Sequence, residues 1–352
     1  MAQGTMRAAV FKGKGQLVIE DRPTPIIKQP NDVMLRVRGV GICGTDLHIL
    51  EVPPRHPATD NIIMGHEFCG EVVEIGSQVT NCKLGDRVVA DQNAGCGHCD
   101  ECRSGRPNSC QTVFSAPVPG FSNTLGIFFD GALARYIVIP DYMLYQVGPK
   151  VAWGHLAVTE TVACAYNALR KAAPEAGETA VVLGAGPVGL LLTAMLKLSG
   201  CRVIQSEVVP YRTGAAKKIG ADVVVNPKEQ NLIQVVKNET KGNGADVVIE
   251  AVGSLLNECI EAVRFGGRVV LFGHDELARP AVQQALIMRK ELQLRGVFLT
   301  KYTFIPAIEL LEQEKLPMNV IVGHVMPLND IFEAHRMIRA GEALKVVIDP
   351  SR

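Results

Sequence analysis

Six short apolar segments in the middle of the chain constrain its fold more than any other feature. They are rich in Val, Leu and Ile, with helical sequence between most of them, and they lie at Thr179–Leu183, Arg202–Ser206, Asp222–Val225, Asp246–Glu250, Arg268–Phe272 and Leu292–Val297. Strands joined by crossover helices form a parallel sheet that is covered on both faces. We therefore predict an α/β domain with a doubly wound, six-stranded parallel sheet over residues 156–299.

The first of these strands runs into a glycine-rich turn and then a helix. The sequence V-V-L-G-A-G-P-V-G places Gly184, Gly186 and Gly189 in a G-x-G-x-x-G pattern, with Pro187 and Val188 at the start of the helix. In a Rossmann dinucleotide site these glycines permit the tight turn, the approach of the pyrophosphate and the close packing of the helix. The helix N-terminus then presents free N–H groups to the phosphates. Because a predicted strand precedes this pattern and a predicted helix follows it, the pattern is more specific evidence than an isolated glycine-rich turn.

The next strand ends at Glu207, at the distance where an acid accepts hydrogen bonds from the adenosine ribose. A carboxylate there repels a 2′-phosphate, so we predict NAD as the cofactor in preference to NADP. Arg212, five residues later, weakens that preference. The alternative interpretation of Glu207 is a solvated charge at the end of a strand.

The remaining stretches flank this domain. Residues 1–155 contain short apolar runs broken by Gly and Pro, which predict a β-rich, barrel-like domain. Its clearest strands are Val33–Arg38, Gly70–Gly76, Asp86–Ala90 and Ala134–Pro140. The tail, residues 300–352, carries two amphipathic helices and a closing strand, which we expect to return to the first domain. These elements are predicted at Phe304–Glu312, Asn329–Arg339 and Lys345–Ile348.

Four cysteines lie in one short loop. Cys96, Cys99 and Cys102 occupy every third position, and Cys110 follows after a seven-residue gap. Four thiolates in such a loop favour a closed, tetrahedral zinc site with a structural role. The alternatives are reduced thiols, two disulfides or an iron–sulfur cluster; the last usually has a proline after its final cysteine, whereas Gln111 follows here.

The composition excludes some partners. The chain has 352 residues, with 36 Lys plus Arg against 36 Asp plus Glu, and this balance provides no electrostatic case for binding nucleic acid or an anionic membrane. No secretory signal is recognisable at the N-terminus, and the most apolar helix, at Val188–Ser199, is too short to cross a bilayer. We predict a cytoplasmic enzyme.

A second metal site is suggested by Cys43 in G-I-C-G-T-D-L-H and His66 in G-H-E. A catalytic zinc needs three protein ligands and an open position, and we choose Glu160 as the third ligand. Taken singly, Cys43 and His66 could be core residues and Glu160 the N-terminal acid of a helix. Spacing alone does not assemble the three.

The motifs follow one another in the order G-H-E, four-cysteine loop, G-x-G-x-x-G and closing strand. In this order, essentially the whole chain resembles the zinc-containing medium-chain dehydrogenases, the family of alcohol, sorbitol and threonine dehydrogenases. The resemblance implies a GroES-like first domain with Cys43 and His66 as catalytic zinc ligands. It implies that Glu67 can approach the metal and that Asp46 orients the histidine ligand. An acid at Glu160 is typical of the polyol and threonine branch.

The resemblance also implies a reaction. Thr45 would bond to the substrate oxygen, and His48 would form the outer end of a proton relay, although a surface histidine without a role is the alternative. The implied enzyme carries two Zn²⁺ per chain and transfers a hydride between NAD and a secondary alcohol such as a polyol, cyclitol, sugar or amino alcohol. A homotetramer is expected by resemblance alone.

The substrate is less constrained. Leu299 and Thr300 stand where sorbitol dehydrogenases tend to have Arg-Tyr, Thr161 replaces a proline common in that branch, and the segment 111–130 is long. We therefore expect a specialised substrate. Two other classes stay open: a zinc-free reductase of activated double bonds, and a non-catalytic protein on the same scaffold.

Overall fold

The structure is a computed structural model that describes residues 4–112, 114–118 and 121–352. The chain forms two compact units. The first contains the residues up to Ala163 together with Thr300–Lys315 and Val322–Arg352, and the second contains Cys164–Leu299 and Leu316–Ile321. The sequence predicts the first domain boundary after residue 155, whereas the contacts divide the chain after residue 163.

Sixteen strands occur in the described residues: β1 (Thr5–Gly13), β2 (Gln16–Pro23), β3 (Asp32–Gly41), β4 (Ile62–Ile63), β5 (Glu67–Ile75), β6 (Arg87–Ala90), β7 (Tyr136–Pro140), β8 (Leu144–Gln146), β9 (Thr179–Leu183), β10 (Arg202–Ser206), β11 (Val223–Val225), β12 (Ala245–Glu250), β13 (Val263–Leu271), β14 (Gln293–Gly296), β15 (Val322–Pro327) and β16 (Lys345–Asp349). The same residues form twelve α-helices: α1 (Gly44–Ile49), α2 (Asp100–Arg103), α3 (Trp153–Leu156), α4 (Thr159–Ala172), α5 (Pro187–Leu198), α6 (Pro210–Ile219), α7 (Leu232–Glu239), α8 (Leu256–Ala262), α9 (Gln284–Arg289), α10 (Phe304–Glu312), α11 (Met318–Ile321) and α12 (Ile331–Arg339). Within the described ranges, no helix is both long and apolar enough to cross a membrane.

The second unit contains the predicted six-stranded parallel sheet. Its order is β11-β10-β9-β12-β13-β14, and each neighbouring pair is parallel. Consecutive residues Val181 and Val182 in β9 are both fully buried, as expected for a strand covered on both faces. The chain leaves β9 towards β10 on one side and returns to β12 on the other, so the strand order reverses at the carboxyl end of β9, where open α/β sheets bind their ligands. The predicted doubly wound fold is confirmed.

The first unit is built from two largely antiparallel sheets. A seven-stranded sheet runs β15-β16-β3-β5-β6-β8 with β7 paired to β3, and a three-stranded sheet runs β2-β1-β4. The tail returns as predicted, because β16 pairs with β3. The parallel partner of β16, strand β15, was not predicted. Val322–Pro327 is mostly exposed or half-buried, so it lacks the continuous apolar run by which the sequence reveals a buried strand.

The registers of this sheet bring several strand ends together. Gly41 at the end of β3 pairs with Glu67 at the start of β5, and also with Val347 in β16. The residues just beyond these pairs, Cys43, His66 and Lys345, therefore meet at one edge of the sheet.

Candidate active site and metal centres

Three of the predicted metal ligands converge at this edge. One side-chain donor atom from each of Cys43, His66 and Glu67 lies within 4.8 Å of the other two. Cys43 is the residue before α1, and His66 and Glu67 begin β5. His66 is 5 % exposed and Glu67 1 % exposed. A thiolate, an imidazole and a carboxylate in a dry site are donors that zinc accepts, so these residues fit the ion that the sequence predicts.

Asp46 orients the histidine of this cluster. Its Oδ2 accepts a hydrogen bond of 2.8 Å from the Cys43 N–H, and its Oδ1 lies 3.3 Å from His66 Nδ1. Burial opposes charge on both side chains, but their mutual attraction outweighs it, so that the pKa of Asp46 is lowered and the pKa of His66 is raised well above 6.5. With Nδ1 facing Asp46, Nε2 is the ring atom left for a metal.

A buried lysine, which the sequence analysis did not identify, neutralises Glu67. Lys345 Nζ lies 2.8 Å and 2.7 Å from the two carboxylate oxygens of Glu67, and it donates to the Ile42 carbonyl at 3.1 Å. Burial lowers the pKa of Lys345, but the negative charges of Glu67 and Cys43 raise it further, so it stays a cation. The carboxylate rests against Gly41, where a Cβ atom would lie 2.4 Å from Glu67 Oε2. The one sequence signal for this pair is a lysine at the head of an otherwise apolar closing strand.

Glu160, which the sequence predicts as the third zinc ligand, is outside this converging group. It lies in the first turn of α4, and the described donor atoms that converge with those of Cys43 and His66 come from Glu67 and not from Glu160. Its charge nevertheless acts on this region, because it contributes to raising the pKa of Lys345 and of Asp91. Glu67 is thus the carboxylate within the converging group, and Glu160 stays a predicted ligand whose charge acts on this region.

Asp91, directly after β6, is a second unpredicted group. It is 8 % exposed and accepts hydrogen bonds from Thr300 Oγ1 at 3.3 and 3.2 Å. Burial, together with the charge of Glu160, raises the pKa of Asp91 to about 7. Because the folded protein then holds this proton more tightly than the unfolded chain, Asp91 favours folding below its ordinary pKa of 3.8, and this contribution is lost as the pH rises towards 7.

The two residues predicted to carry the proton lie on one helix. Thr45 and His48 are both in α1, three residues apart and therefore on the same face. Thr45 Oγ1 lies 3.7 Å from Cys43 Sγ, which places the hydroxyl beside the metal donors. His48 is half-buried.

The long segment 111–130 packs into the same unit. Val113, Pro119 and Gly120 lie outside the described residues. Farther along, Phe121 packs edge-on against His56 of the loop 50–61, with 5.1 Å between ring centroids.

The four-cysteine loop also forms a cluster. Donor atoms of Cys96, Cys99, Cys102 and Cys110 lie within 4.8 Å of one another, and none of them is in a disulfide. Backbone N–H groups donate to two of the sulfurs: Cys99 N to Cys96 Sγ at 3.4 Å and Cys96 N to Cys110 Sγ at 3.3 Å. Such bonds stabilise thiolates, and four converging thiolates fit a closed zinc site.

The glycine-rich turn of the second unit has the shape that a pyrophosphate site requires. Gly184 has φ +94°, and a Cβ on Gly189 would lie 1.9 Å from the Gly184 carbonyl oxygen, so neither position accepts a side chain. A Cβ on Gly186 would meet nothing within 4 Å, which leaves room beside the backbone. Helix α5 begins with Pro187 and Val188 directly after Gly186. This cradle fits a dinucleotide.

Glu207 contacts this turn, and Arg212 lies in the helix that follows Glu207 in the chain. Glu207 is 6 % exposed and accepts hydrogen bonds from the backbone N–H groups of Ala185, Val208 and Val209 at 2.7 to 2.9 Å. These bonds use three of about four acceptor positions of its carboxylate, so one is left for a ribose hydroxyl. Arg212, in α6, has a buried Nε without a partner among the described residues.

Comparison with known proteins agrees with this geometry. Residues 29–149 match the model of the alcohol dehydrogenase GroES-like domain, and residues 187–313 match that of the zinc-binding dehydrogenases. The chain is 33% identical over 354 residues to a probable D-xylulose reductase A of Arthroderma otae, covering 96% of each sequence. It is 31% identical to a sorbitol dehydrogenase of Halalkalibacterium halodurans, covering 96% of this chain and 97% of that protein.

Solved structures show the same fold. The alcohol dehydrogenase TADH of Thermus sp. ATN1 is 28% identical and superimposes with a TM-score of 0.89 over 98% of this chain and 99% of that one. An alcohol dehydrogenase of Escherichia coli CFT073 complexed with NADH is 27% identical, with a TM-score of 0.87 over 98% and 99% of the two chains. The matches extend over both units, and the donor clusters and the glycine cradle are those that a zinc and a nicotinamide cofactor require. This chain therefore belongs to the zinc-binding medium-chain alcohol dehydrogenase family and is an oxidoreductase.

Proposed function

We propose that this protein oxidises a secondary alcohol of a polyol-like small molecule to a ketone, with NAD as hydride acceptor, and catalyses the reverse reduction. The observation that carries this proposal is the convergence of Cys43, His66 and Glu67 beside the hydroxyl of Thr45. The relatives named for xylulose and sorbitol support the polyol class.

Two zinc ions per chain are proposed, one at Cys43, His66 and Glu67 and one at the four-cysteine cluster. The first, when bound, supplies a Lewis acid that lowers the pKa of the alcohol, and the nicotinamide supplies the hydride acceptor. Glu160 stays available as an alternative carboxylate ligand. The retained carboxylate of Glu207 favours NAD over NADP, because it would repel a 2′-phosphate.

The chain's own residues move the proton. Thr45 is placed to accept a hydrogen bond from the substrate hydroxyl and to pass its proton outward, and His48, on the same face of α1, is the group that would deliver it to solvent. Asp46 holds the ring of His66 in one orientation. Lys345 balances the charge of Glu67 in the dry interior.

The alternatives explain less. A zinc-free double-bond reductase would have no use for three converging donors and an acid directed at the histidine. A non-catalytic protein would not need to keep Thr45 beside them or glycine at Gly186, where a side chain would have room.

A homotetramer in the cytoplasm is also proposed. The edge strand β14 has three exposed residues of four, and the second unit exposes Phe265, Leu277 and Met288 by 68 to 69 %. An unpaired strand edge and exposed apolar side chains are surfaces that another copy can cover. None of the cysteines of the described residues forms a disulfide, which suits a reducing compartment.

The test is NADH formation with a panel of polyols, sugars and amino alcohols, combined with metal analysis. We expect turnover with a polyol, two zincs per chain, and loss of turnover with retained NADH binding in Cys43→Ser. Cys82→Ser, at a buried cysteine outside both clusters, is the matched control. Full turnover in Cys43→Ser would refute the assignment.

A further inference from the structure

Gln92 is buried without a partner in an otherwise satisfied polar segment. Its side chain belongs to a residue that is 2 % exposed, and neither its Nε2 nor its Oε1 has a hydrogen-bond partner in the part of the chain that the structure describes. Its neighbours differ: Asp91 accepts from Thr300, and Asn93 Oδ1 accepts from Thr124 Oγ1 at 2.8 Å. A buried amide with both ends unsatisfied is rare, and a ligand that completes its hydrogen bonds explains it.

The strand register brings this segment to the edge of the sheet where the metal donors lie. Strand β6 ends at Ala90, and its antiparallel register with β5 pairs Val89 with Cys69. Continuing that register for two residues brings Asp91 level with Glu67, and Gln92 is the next residue. The segment is fixed there, because Asp91 N donates to the Met143 carbonyl at 2.8 Å.

A second unsatisfied group lies beside Glu160 in the chain. Thr161 is 5 % exposed, its Oγ1 is buried without a partner among the described residues, and it directly follows Glu160. Glu160 acts electrostatically on Asp91, the residue before Gln92, and two unsatisfied polar side chains next to this pair of acids favour a ligand with several hydroxyl groups. A hydroxyl both donates and accepts, as an amide does.

We infer that Gln92 is a specificity-determining residue, whose amide binds a substrate hydroxyl on a carbon next to the reacting one and so selects polyols over simple secondary alcohols. This inference rests on the proposed function. An enzyme that hydrogen-bonds a substrate hydroxyl discriminates strongly against analogues that lack it, because its own buried polar group is then left unpaired.

The experiment compares kcat/KM for xylitol and for 2-butanol in the wild type, in Gln92→Met, and in Gln78→Met as a control at an exposed glutamine of the same unit. Methionine keeps the length of the side chain and removes its hydrogen bonds. We expect the ratio of kcat/KM for xylitol to kcat/KM for 2-butanol to fall by about 10- to 100-fold in Gln92→Met and to stay constant in Gln78→Met.

The melting temperature of the substrate-free protein separates this role from a structural one. If the amide awaits a ligand, Gln92→Met melts at or above the wild-type temperature, because an unsatisfied polar group is removed. An unchanged ratio, or a ratio that changes only together with a drop of several degrees, would overturn the inference. Wild-type enzyme inactive on both alcohols would instead refute the proposed function.

Discussion

The buried pair of Lys345 and Glu67 yields a prediction whose magnitude follows from the structure. The two side chains are 3 % and 1 % exposed, and both carboxylate oxygens lie within 2.8 Å of the ammonium. Lys345→Met leaves the carboxylate in the interior without its cation. Removing one partner of a buried pair typically costs about 3–5 kcal/mol.

The loss of stability in zinc-free Lys345→Met should therefore be about 3–4 kcal/mol at pH 7.

Bound zinc should reduce this loss of stability, because a dication at Cys43, His66 and Glu67 supplies the positive charge that the variant lacks. We expect the cost to fall to about 1–2 kcal/mol in the zinc-loaded protein. Coupling between sites is reciprocal, so a difference of about 2 kcal/mol means that Lys345→Met binds this zinc about 30-fold more tightly than the wild type.

The assay is urea denaturation at pH 7 with and without zinc, together with chelator competition for the metal. Lys83→Met, at an exposed lysine of the same unit, is the control and should change neither quantity. Glu67→Gln combined with Lys345→Met should restore most of the zinc-free stability. An equal cost with and without zinc, or weaker zinc binding in Lys345→Met, would refute the reasoning.

Three further predictions concern single substitutions. Cys99→Ser should reduce the zinc content from two ions to one and lower the melting temperature while NADH still binds; an unchanged melting temperature would contradict a structural zinc. Asp91→Asn removes the carboxyl whose pKa burial raises to about 7, so the zinc-free variant should gain stability over the wild type by about 2–4 kcal/mol as the pH rises from 5 to 8. If urea denaturation gave the same difference in free energy of unfolding between variant and wild type at pH 5 and at pH 8, Asp91 would not titrate in this way. Thr45→Val should lower kcat by about 10²- to 10⁴-fold with little change in NADH affinity, measured by steady-state kinetics and fluorescence titration, and a kcat within twofold of the wild type would exclude the proton-transfer role.

The sequence was sufficient to predict elements and clusters whose residues are neighbours in the chain. Strands β9 and β10 lie at the predicted residues, because a run of Val, Leu and Ile between turn signals is buried on both faces in any parallel sheet. The glycine cradle and the four-cysteine cluster were likewise predictable, since each forms within one short stretch of chain.

Pairings between distant segments were not predictable in this way. Lys345 meets Glu67 across 278 positions, and Thr300 meets Asp91 across 209. Gln92 showed no sequence signal at all, because an amide after a strand is ordinarily solvated. The sequence favoured Glu160 as the third zinc ligand, whereas the carboxylate whose donor atom converges with those of Cys43 and His66 is Glu67, which pairing across the sheet brings there.

Periodicity, thiolate spacing and glycine chemistry act over a few residues, so the order of elements, the metal-binding motifs and the dinucleotide turn could be predicted from the chain alone. The carboxylate that converges with Cys43 and His66, the cation that neutralises it and the unsatisfied amide of Gln92 became visible only in the folded protein. Strand register brings residues hundreds of positions apart within about 3 Å, and burial then determines how strongly their charges and hydrogen bonds act.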